Sequence, residues 1–300
     1  MSSALIHTPL TDRALIAVAG PDWRDFLQNL LSQSAEGLRA GEARFGALLT
    51  PQGRLLHDLF LVGGDDGCWL DVAADQRAAI IQRLTIYRLR AKVEIGADET
   101  RVSAAFQPAR SREGGNPSET SATGDSAWAP AFAGVSGEWV RDPRLPDLGW
   151  RGYGAAAPEG ATLADVAAYD AHRLGLGVPG PADWGVDRSY PIEADFDLLN
   201  GIDFQKGCFV GQETTSRMKR RGQVKSRMLP ILFEGAAPPH GAEVLAGTLR
   251  AGEVLSGAEG RAMALVRLDR IAGAELTVEG RPVRVATPAW FAARQGQDAA

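Results

Sequence analysis

Apolar side chains in the amino-terminal part of the chain follow strand spacing first and helix spacing afterwards. Residues 13–19, RALIAVA, alternate around Ile16 and Val18 as a half-buried strand does. After Gly20 and Pro21 the apolar positions fall on one helical face, namely Trp23, Phe26, Leu27, Leu30 and Leu31. The pattern predicts a strand followed at once by an amphipathic helix.

Two more strand-like runs, ARFGALLT and RLLHDLFLV, flank the turn sequence PQG and predict a hairpin. CWLDV continues this sheet, and residues 75–90 predict a helix with Ile80, Leu84 and Tyr87 on one side. After Leu229, short β-like pieces separated by Gly and Pro lie at Ile231, Val244, Val254, Ala264 and Val283. Their spacing predicts a small β-barrel.

The middle of the chain is less regular. Residues 107–146 are rich in Gly, Ser, Pro and Ala and predict a long loop. Thr162 and Asp165 resemble a capping box and predict the start of a helix. The motif GLGVPG, from Gly175 to Gly180, matches G-x-G-x-x-G, but a helix precedes it and prolines interrupt it. It therefore predicts a helix stop and not a dinucleotide site.

Length and composition restrict the class of protein. At 300 residues and 31.9 kDa, the chain is predicted to form two or three packed units. A formal net charge of -5 argues against a surface that binds nucleic acid throughout. The amino terminus lacks a signal-peptide core, and no run reaches the roughly 18 apolar residues of a membrane span. We therefore expect a cytoplasmic protein without a membrane partner.

The chain has two cysteines, Cys68 and Cys208, which we expect to be free thiols. Cys208 lies in the sequence KGCFVGQE, with Lys206 and Gly207 before it and Gly211 after it. Glycine allows close approach of the backbone, and a nearby cation favours the thiolate. Cys208 is therefore either a reactive thiol or a small apolar residue that fills a turn, and spacing alone does not decide between them.

A basic run follows this motif. Residues 217–227, RMKRRGQVKSR, carry six basic residues and no acidic one. The run is either a solvated loop or an anion site. As an anion site it would face a phosphate backbone, the acidic face of a partner or a ligand with several carboxylates.

The sequence around Cys208 also resembles a known family. NGIDFQKGCFVGQETTSRMKRRGQVKSRMLPI is similar to the K-G-C-[FY]-x-G-Q-E signature of the YgfZ-type folate-binding proteins, which act in iron-sulfur cluster assembly. Within it the matching residues are Lys206, Gly207, Cys208, Phe209, Gly211, Gln212 and Glu213. VAGPDWRDFLQNLLSQ, GALLTPQGRLLHDLFLV and YRLRAKVEI also resemble that family. The resemblance covers about residues 10–100 and 165–290.

That family is related to the T-protein of the glycine cleavage system, an aminomethyltransferase. The resemblance therefore implies an α+β fold of three domains in a ring, with a central channel and a C-terminal β-barrel. It places a folate-binding domain at residues 1–45 with 147–221, an inserted α+β domain at 46–146 and the barrel at 222–300.

The resemblance also implies roles for individual residues. The implied cofactor is tetrahydrofolate or another folate, held by Glu193 at the pterin, by Arg217 at the glutamate tail and by Gln212 and Glu213 of the motif. Cys208 is the working thiol and Lys206 the cation beside it. Asp98, in GADET, matches the aspartate of the aminomethyltransferases. No metal site is assigned.

Three functions follow as hypotheses. In the first, the chain is a folate-binding accessory factor that assembles or repairs iron-sulfur clusters, with assembly proteins and client iron-sulfur enzymes as partners. In the second, it is a tetrahydrofolate-dependent aminomethyl- or methyltransferase that uses Asp98 and Glu193. In the third, residues 217–227 contact RNA, in connection with tRNA modification.

Overall fold

The computed structural model describes residues 4–108, 137–220 and 224–298. Most of the loop expected at residues 107–146 lies outside these ranges, and inside them Glu138–Arg141 forms a strand, so the loop prediction is wrong there. The strands are, in chain order, β1 (Ile6–Pro9), β2 (Arg13–Ala19), β3 (Ala43–Leu49), β4 (Leu55–Gly63), β5 (Gly67–Ala73), β6 (Glu94–Asp98), β7 (Val102–Phe106), β8 (Glu138–Arg141), β9 (Trp150–Tyr153), β10 (Thr162–Leu163), β11 (Ser226–Leu232), β12 (Glu243–Ala246), β13 (Leu249–Ala258), β14 (Arg261–Arg267), β15 (Leu276–Val278) and β16 (Arg281–Val285). The helices are α1 (Trp23–Gln28), α2 (Arg77–Arg88), α3 (Val166–Gly175), α4 (Pro181–Trp184), α5 (Gln212–Arg220), α6 (Leu268–Ile271) and α7 (Ala289–Asp298).

The first sheet has the strand order β3-β4-β5-β2-β6, and all its neighbouring strands are antiparallel. The apolar faces of α1 and α2 pack on it, and Trp23, Leu27, Ile80 and Leu84 are buried there. The predicted β3–β4 hairpin is confirmed. Helix α1 ends at Gln28, before the predicted positions Leu30 and Leu31, which are buried in the segment that follows.

The second sheet has the order β10-β1-β7-β9-β8. It lies against the first sheet, and an ionic network joins the two. Arg151 on β9 donates to Asp71 on β5 at 2.5 Å, and Arg13 on β2 donates to the other Asp71 oxygen at 2.7 Å. The Arg151 guanidinium also lies 3.9 Å from the ring centroid of Phe60. Because these side chains are almost fully buried, each charge depends on its partner for solvation.

In the described part of the chain, the third sheet is a closed barrel in the order β11-β14-β13-β12-β15-β16. Ile231, Val244, Val254, Ala264 and Val283 all point into its apolar core, which confirms the predicted barrel. The strand β15 has only three residues and was not predicted. No helix among the described residues is long and apolar enough to cross a membrane.

The first two sheets each take strands from several parts of the chain, and the three predicted domain ranges stay a prediction. Residues 1–45 contribute β1 to the second sheet but β2 and β3 to the first, and residues 46–146 contribute strands to both. The reason is that hydrogen bonding between strands distant in sequence, such as β1 with β7, is set by tertiary packing. Thr162 is likewise a strand residue, while Asp165 alone caps α3 by accepting from the Ala168 N–H at 3.1 Å.

Candidate functional site

Cys208 is exposed, in the loop that leads into α5. Gly207, which precedes it, is also exposed, whereas Lys206 and Phe209 on either side of this pair are buried. Phe209 packs in an apolar core with Phe45, and the Val210 N–H donates to the Asn29 carbonyl at 3.3 Å. The loop is thus fixed on both sides of the thiol, which leaves Cys208 facing solvent. The exposure of Cys208 does not match a small apolar residue that fills a turn, and its role as a reactive thiol stays a prediction.

Lys206 points into the protein. Its Nζ donates to the carbonyl oxygens of Leu31 at 2.7 Å and Gln33 at 3.1 Å, and burial lowers its pKa to about 8, against the opposing charge of Asp203. The sequence predicted a cation beside the thiol. In the structure this ammonium group binds the segment after α1, because those two carbonyls have no helical partner there, and its effect on the thiol stays a prediction. Lys206 therefore holds the loop that carries Cys208.

Gly211 allows the loop to approach the β3–β4 turn. Its φ is +81°, and a Cβ there would lie 2.6 Å from the Thr50 carbonyl oxygen. Gly53 in the turn has φ of +84°, and its Cβ would lie 2.9 Å from the Gly211 carbonyl oxygen. The two glycines thus pack backbone against backbone, and only glycine fits both the conformation and the space.

A cavity of about 710 Å³ lies beside this contact. It is bounded by the β3–β4 turn and by one side of α5, and its lining residues are Pro51, Phe209, Gly211, Gln212, Glu213, Ser216, Arg217 and Arg220. Arg217 and Glu213 form a long ion pair of 3.9 Å on its exposed side. Three of the four predicted cofactor residues, Gln212, Glu213 and Arg217, therefore line one cavity. Phe209, which follows Cys208 in the chain, also lines it.

Glu193, the fourth predicted cofactor residue, does not line this cavity. It is half-buried, its Oε2 accepts the Tyr190 N–H at 2.9 Å, and its carbonyl accepts the Met228 N–H at 2.8 Å. Burial raises the pKa of its carboxyl group, although Arg54 and Arg227 oppose this. Glu193 is thus a partly desolvated carboxylate held by its own turn.

Asp98, the predicted transferase aspartate, lies in another place. It lines a cavity of about 250 Å³ with Arg13 and Arg77, which shares no lining residue with the cavity beside α5. Its Oδ2 accepts the Trp69 Nε1–H at 3.0 Å. Burial acts to raise its pKa, but hydrogen bonds from Thr100 and Trp69 outweigh that effect and lower it. Among the described residues, the lining of the cavity at Asp98 includes neither Cys208 nor Glu193.

The basic run is only partly a surface feature. Arg227 is buried, and its guanidinium binds Asp197 at 2.6 and 2.8 Å and Asp195 at 3.1 Å. Residues 221–223 lie outside the described residues. Arg217, Lys219 and Arg220 remain at the end of α5. The fold alone places the buried Asp195 against an arginine 32 residues away.

Cys68 differs from Cys208 in burial. It lies in the core under α1, and burial raises its pKa to about 12. Both cysteines are free thiols, as predicted. Among the described residues, no group of three or more His, Cys, Asp or Glu side chains is arranged to hold a metal ion.

Comparisons with known proteins give the following matches. Residues 225–293 match the family model of the CAF17 C-terminal β-barrel domain. The crystal structure of the glycine cleavage system aminomethyltransferase T from Bartonella henselae superposes with a TM-score of 0.73 over 96% of this chain and 87% of that chain, at 18% identity. This confirms the predicted α+β, T-protein-like fold with a C-terminal barrel.

Curated relatives carry the name iron-sulfur cluster assembly factor IBA57. The human protein is 34% identical over 77% of this chain and 67% of its own length, and the Mus musculus protein is 30% identical over 88% and 78%. A Neurospora crassa homolog is 31% identical over 77% of this chain, which spans 55% of that relative. The narrower YgfZ-type assignment stays a prediction.

The names of these relatives also correct one prediction. All three are described as mitochondrial, so the cytoplasmic location that we predicted is wrong. The prediction relied on the first twenty residues and on free thiols, and a reducing compartment other than the cytoplasm is consistent with both observations.

Proposed function

Because the chain belongs to the family of IBA57 iron-sulfur cluster assembly factors, we propose that it assists the assembly or repair of iron-sulfur clusters in client enzymes, and that the Cys208 thiolate binds the cluster during transfer. The observation that carries this proposal is the exposure of Cys208 in a loop that Lys206 and Phe209 fix from the inside.

The number of accessible cysteines determines how many cluster ligands the chain contributes. Iron-sulfur clusters usually have four thiolate ligands, and a thiol loses its proton when it binds iron. The chain has two cysteines, of which Cys68 is buried. One exposed thiol supplies one ligand, so the cluster is a substrate shared with another protein that supplies the rest. Assembly proteins and client enzymes are therefore the proposed partners.

The test is complementation of cells that lack the protein, with the activity of several iron-sulfur enzymes as the readout. We expect Cys208→Ser to lose maturation of client enzymes while Cys68→Ala, the matched control, retains it where the protein accumulates normally. Full activity of Cys208→Ser would overturn the role of the thiol. A parallel assay with tetrahydrofolate and aminomethyl or N-methyl donors tests the alternative, and turnover that depends on Asp98 would favour a transferase.

We also propose that a folate binds in the cavity beside α5. A volume of about 710 Å³ lies within the roughly 300–1,000 Å³ of ligand sites. Arg217 and Arg220 would bind the carboxylates of the glutamate tail, for which guanidinium groups are suited. The fit is partial, since Glu193, assigned to the pterin, lies outside this lining.

Titration calorimetry with 5-formyltetrahydrofolate tests this part. We expect Arg217→Ala to weaken binding about tenfold, as loss of a charge-assisted contact does. Glu193→Gln tests the pterin end of the ligand independently of the glutamate tail. Weaker binding by that variant would assign the pterin to Glu193. No binding to the wild type would remove folate from the proposal and leave the role of Cys208 intact.

A further inference from the structure

A surface at the carboxyl end of α2 is apolar at its centre and basic at its rim. Among the described residues, the large apolar side chains that are exposed are Ile86, Tyr87, Leu89, Leu163, Val186 and Leu249. Three of them fall within four residues at the carboxyl end of α2, and Ile86 and Leu89 are 66% and 88% exposed. Scattered exposed leucines are ordinary, but a contiguous group marks an interaction site.

The backbone at Leu89 supports this reading. Leu89 ends α2 with φ of 44° and ψ of -104°, a positive φ that residues with a side chain rarely adopt and that lies outside the left-handed helical region of the usual glycine C-cap. A leucine there strains the backbone and also exposes a large apolar side chain to water. Strained positions persist where function requires them. Since the Leu89 side chain is 88% exposed, it gains little from contacts inside this chain, whereas a partner on this surface would cover it.

The rim of the surface is basic. Residues 83–92, RLTIYRLRAK, contain four basic residues and no acidic one, in a chain whose net charge is -5. Arg88, Arg90 and Lys92 are exposed, and in the part of the chain that the structure describes none of these three forms an ion pair. We call Ile86, Tyr87, Arg88, Leu89, Arg90 and Lys92 the α2-end surface.

Helix α1 connects the α2-end surface to the thiol. At its start, Asp22 accepts the Lys92 N–H at 2.7 Å. At its end, the Asn29 carbonyl accepts the Val210 N–H at 3.3 Å and the Leu31 carbonyl accepts from Lys206. Since α1 has six residues, these attachments are separated by about 9 Å of helix. The α2-end surface and the loop that carries Cys208 are therefore attached to the same short helix.

We propose that the α2-end surface docks the protein that shares the cluster, through an acidic face with an apolar centre. This inference rests on the proposed function, because it assigns the partner of Cys208. A protein matches both parts of the surface: carboxylates face Arg88 and Arg90, and an apolar patch covers Ile86 and Leu89. Nucleic acid phosphates would match the charges but leave both apolar side chains in water.

The experiment uses the full chain and the purified, cluster-loaded assembly proteins of the same organism, titrated one at a time by calorimetry. We expect one of them to bind, more weakly at about 0.5 M salt because exposed charges are screened. Leu89→Ser/Arg90→Glu should weaken this binding about tenfold or more. The matched control is Leu249→Ser/Arg250→Glu, which makes the same two changes on the barrel and should bind as the wild type does.

Leu89→Gly controls for folding, because it relieves the strained φ and should be at least as thermostable as the wild type while binding more weakly. Equal binding by Leu89→Ser/Arg90→Glu and the wild type, or binding by none of the assembly proteins, overturns the inference. Binding of the α2-end surface to anionic phospholipid vesicles also overturns the inference, and so does self-association of this chain through that surface in sedimentation. Cys208→Ser separates the two proposals, since it should keep docking and lose cluster transfer.

Discussion

The Nζ atom of Lys206 lies 2.7 Å from the carbonyl oxygen of Leu31, across 175 residues of sequence. This hydrogen bond ties the loop that carries Cys208 to the end of α1, and Gln33 provides the second acceptor. The pairing makes Lys206 a positioning residue for the thiol.

The pKa of Lys206 gives a pH-dependent prediction. Burial lowers this pKa from 10.5 to about 8, so between these values the unfolded chain binds more protons than the folded chain. Stability from this group therefore rises with pH across that window. We expect the free energy of unfolding of the wild type, relative to Lys206→Met, to be constant below pH 7 and to increase from about pH 8 to 10.5. Denaturant titrations of both proteins measure it, and a flat difference would contradict the assignment.

The two thiols should react very differently. Cys208 is exposed, whereas Cys68 is 5% exposed and burial raises its pKa to about 12, so little of it is thiolate at pH 8. We expect a chromogenic disulfide reagent to modify Cys208 in the native protein and Cys68 only after unfolding. Cys208→Ser should leave no fast reaction. Rapid modification of native Cys208→Ser would show that Cys68 is accessible.

The glycines of the motif offer a matched pair. Gly211→Ala adds a Cβ at φ of +81°, 2.6 Å from the Thr50 carbonyl oxygen, and should lower the free energy of unfolding by about 2 kcal/mol or more. A Cβ on Gly207 meets nothing within 4 Å, so Gly207→Ala should lie within about 0.5 kcal/mol of the wild type. Chemical denaturation distinguishes the two, and equal stabilities would contradict the close contact with the β3–β4 turn.

The ionic network between the first two sheets should be sensitive to loss of one partner. Asp71→Asn leaves Arg13 and Arg151 without their shared carboxylate and should cost about 3–5 kcal/mol. Glu253→Gln breaks an exposed pair with Arg250 and should cost less than about 1 kcal/mol. Thermal and denaturant unfolding measure both, and a small effect of Asp71→Asn would mean that water reaches the network.

The local elements of the fold were predictable because their signals are short-range. Alternation identified β2, the β3–β4 hairpin and most of the barrel strands, and helical spacing identified α1 and α2. The same reasoning failed at Tyr87, which shares a predicted helical side with Ile80 and Leu84 but is 37% exposed. The spacing of apolar residues indicates which side chains share one face of a helix. The length of the neighbouring strands decides how much of that face the sheet covers.

By itself, the sequence determined the family motif, the barrel and the choice of Cys208 as the residue of interest, because each depends on residues that are close together in the chain. Tertiary structure alone decided that Lys206 turns inward to Leu31, that Arg227 is buried against Asp195 and Asp197, and that Glu193 and Asp98 lie apart from the cavity beside α5. The physical reason is that a charged side chain takes whichever partners packing brings within hydrogen-bonding distance, and those partners come from distant parts of the chain.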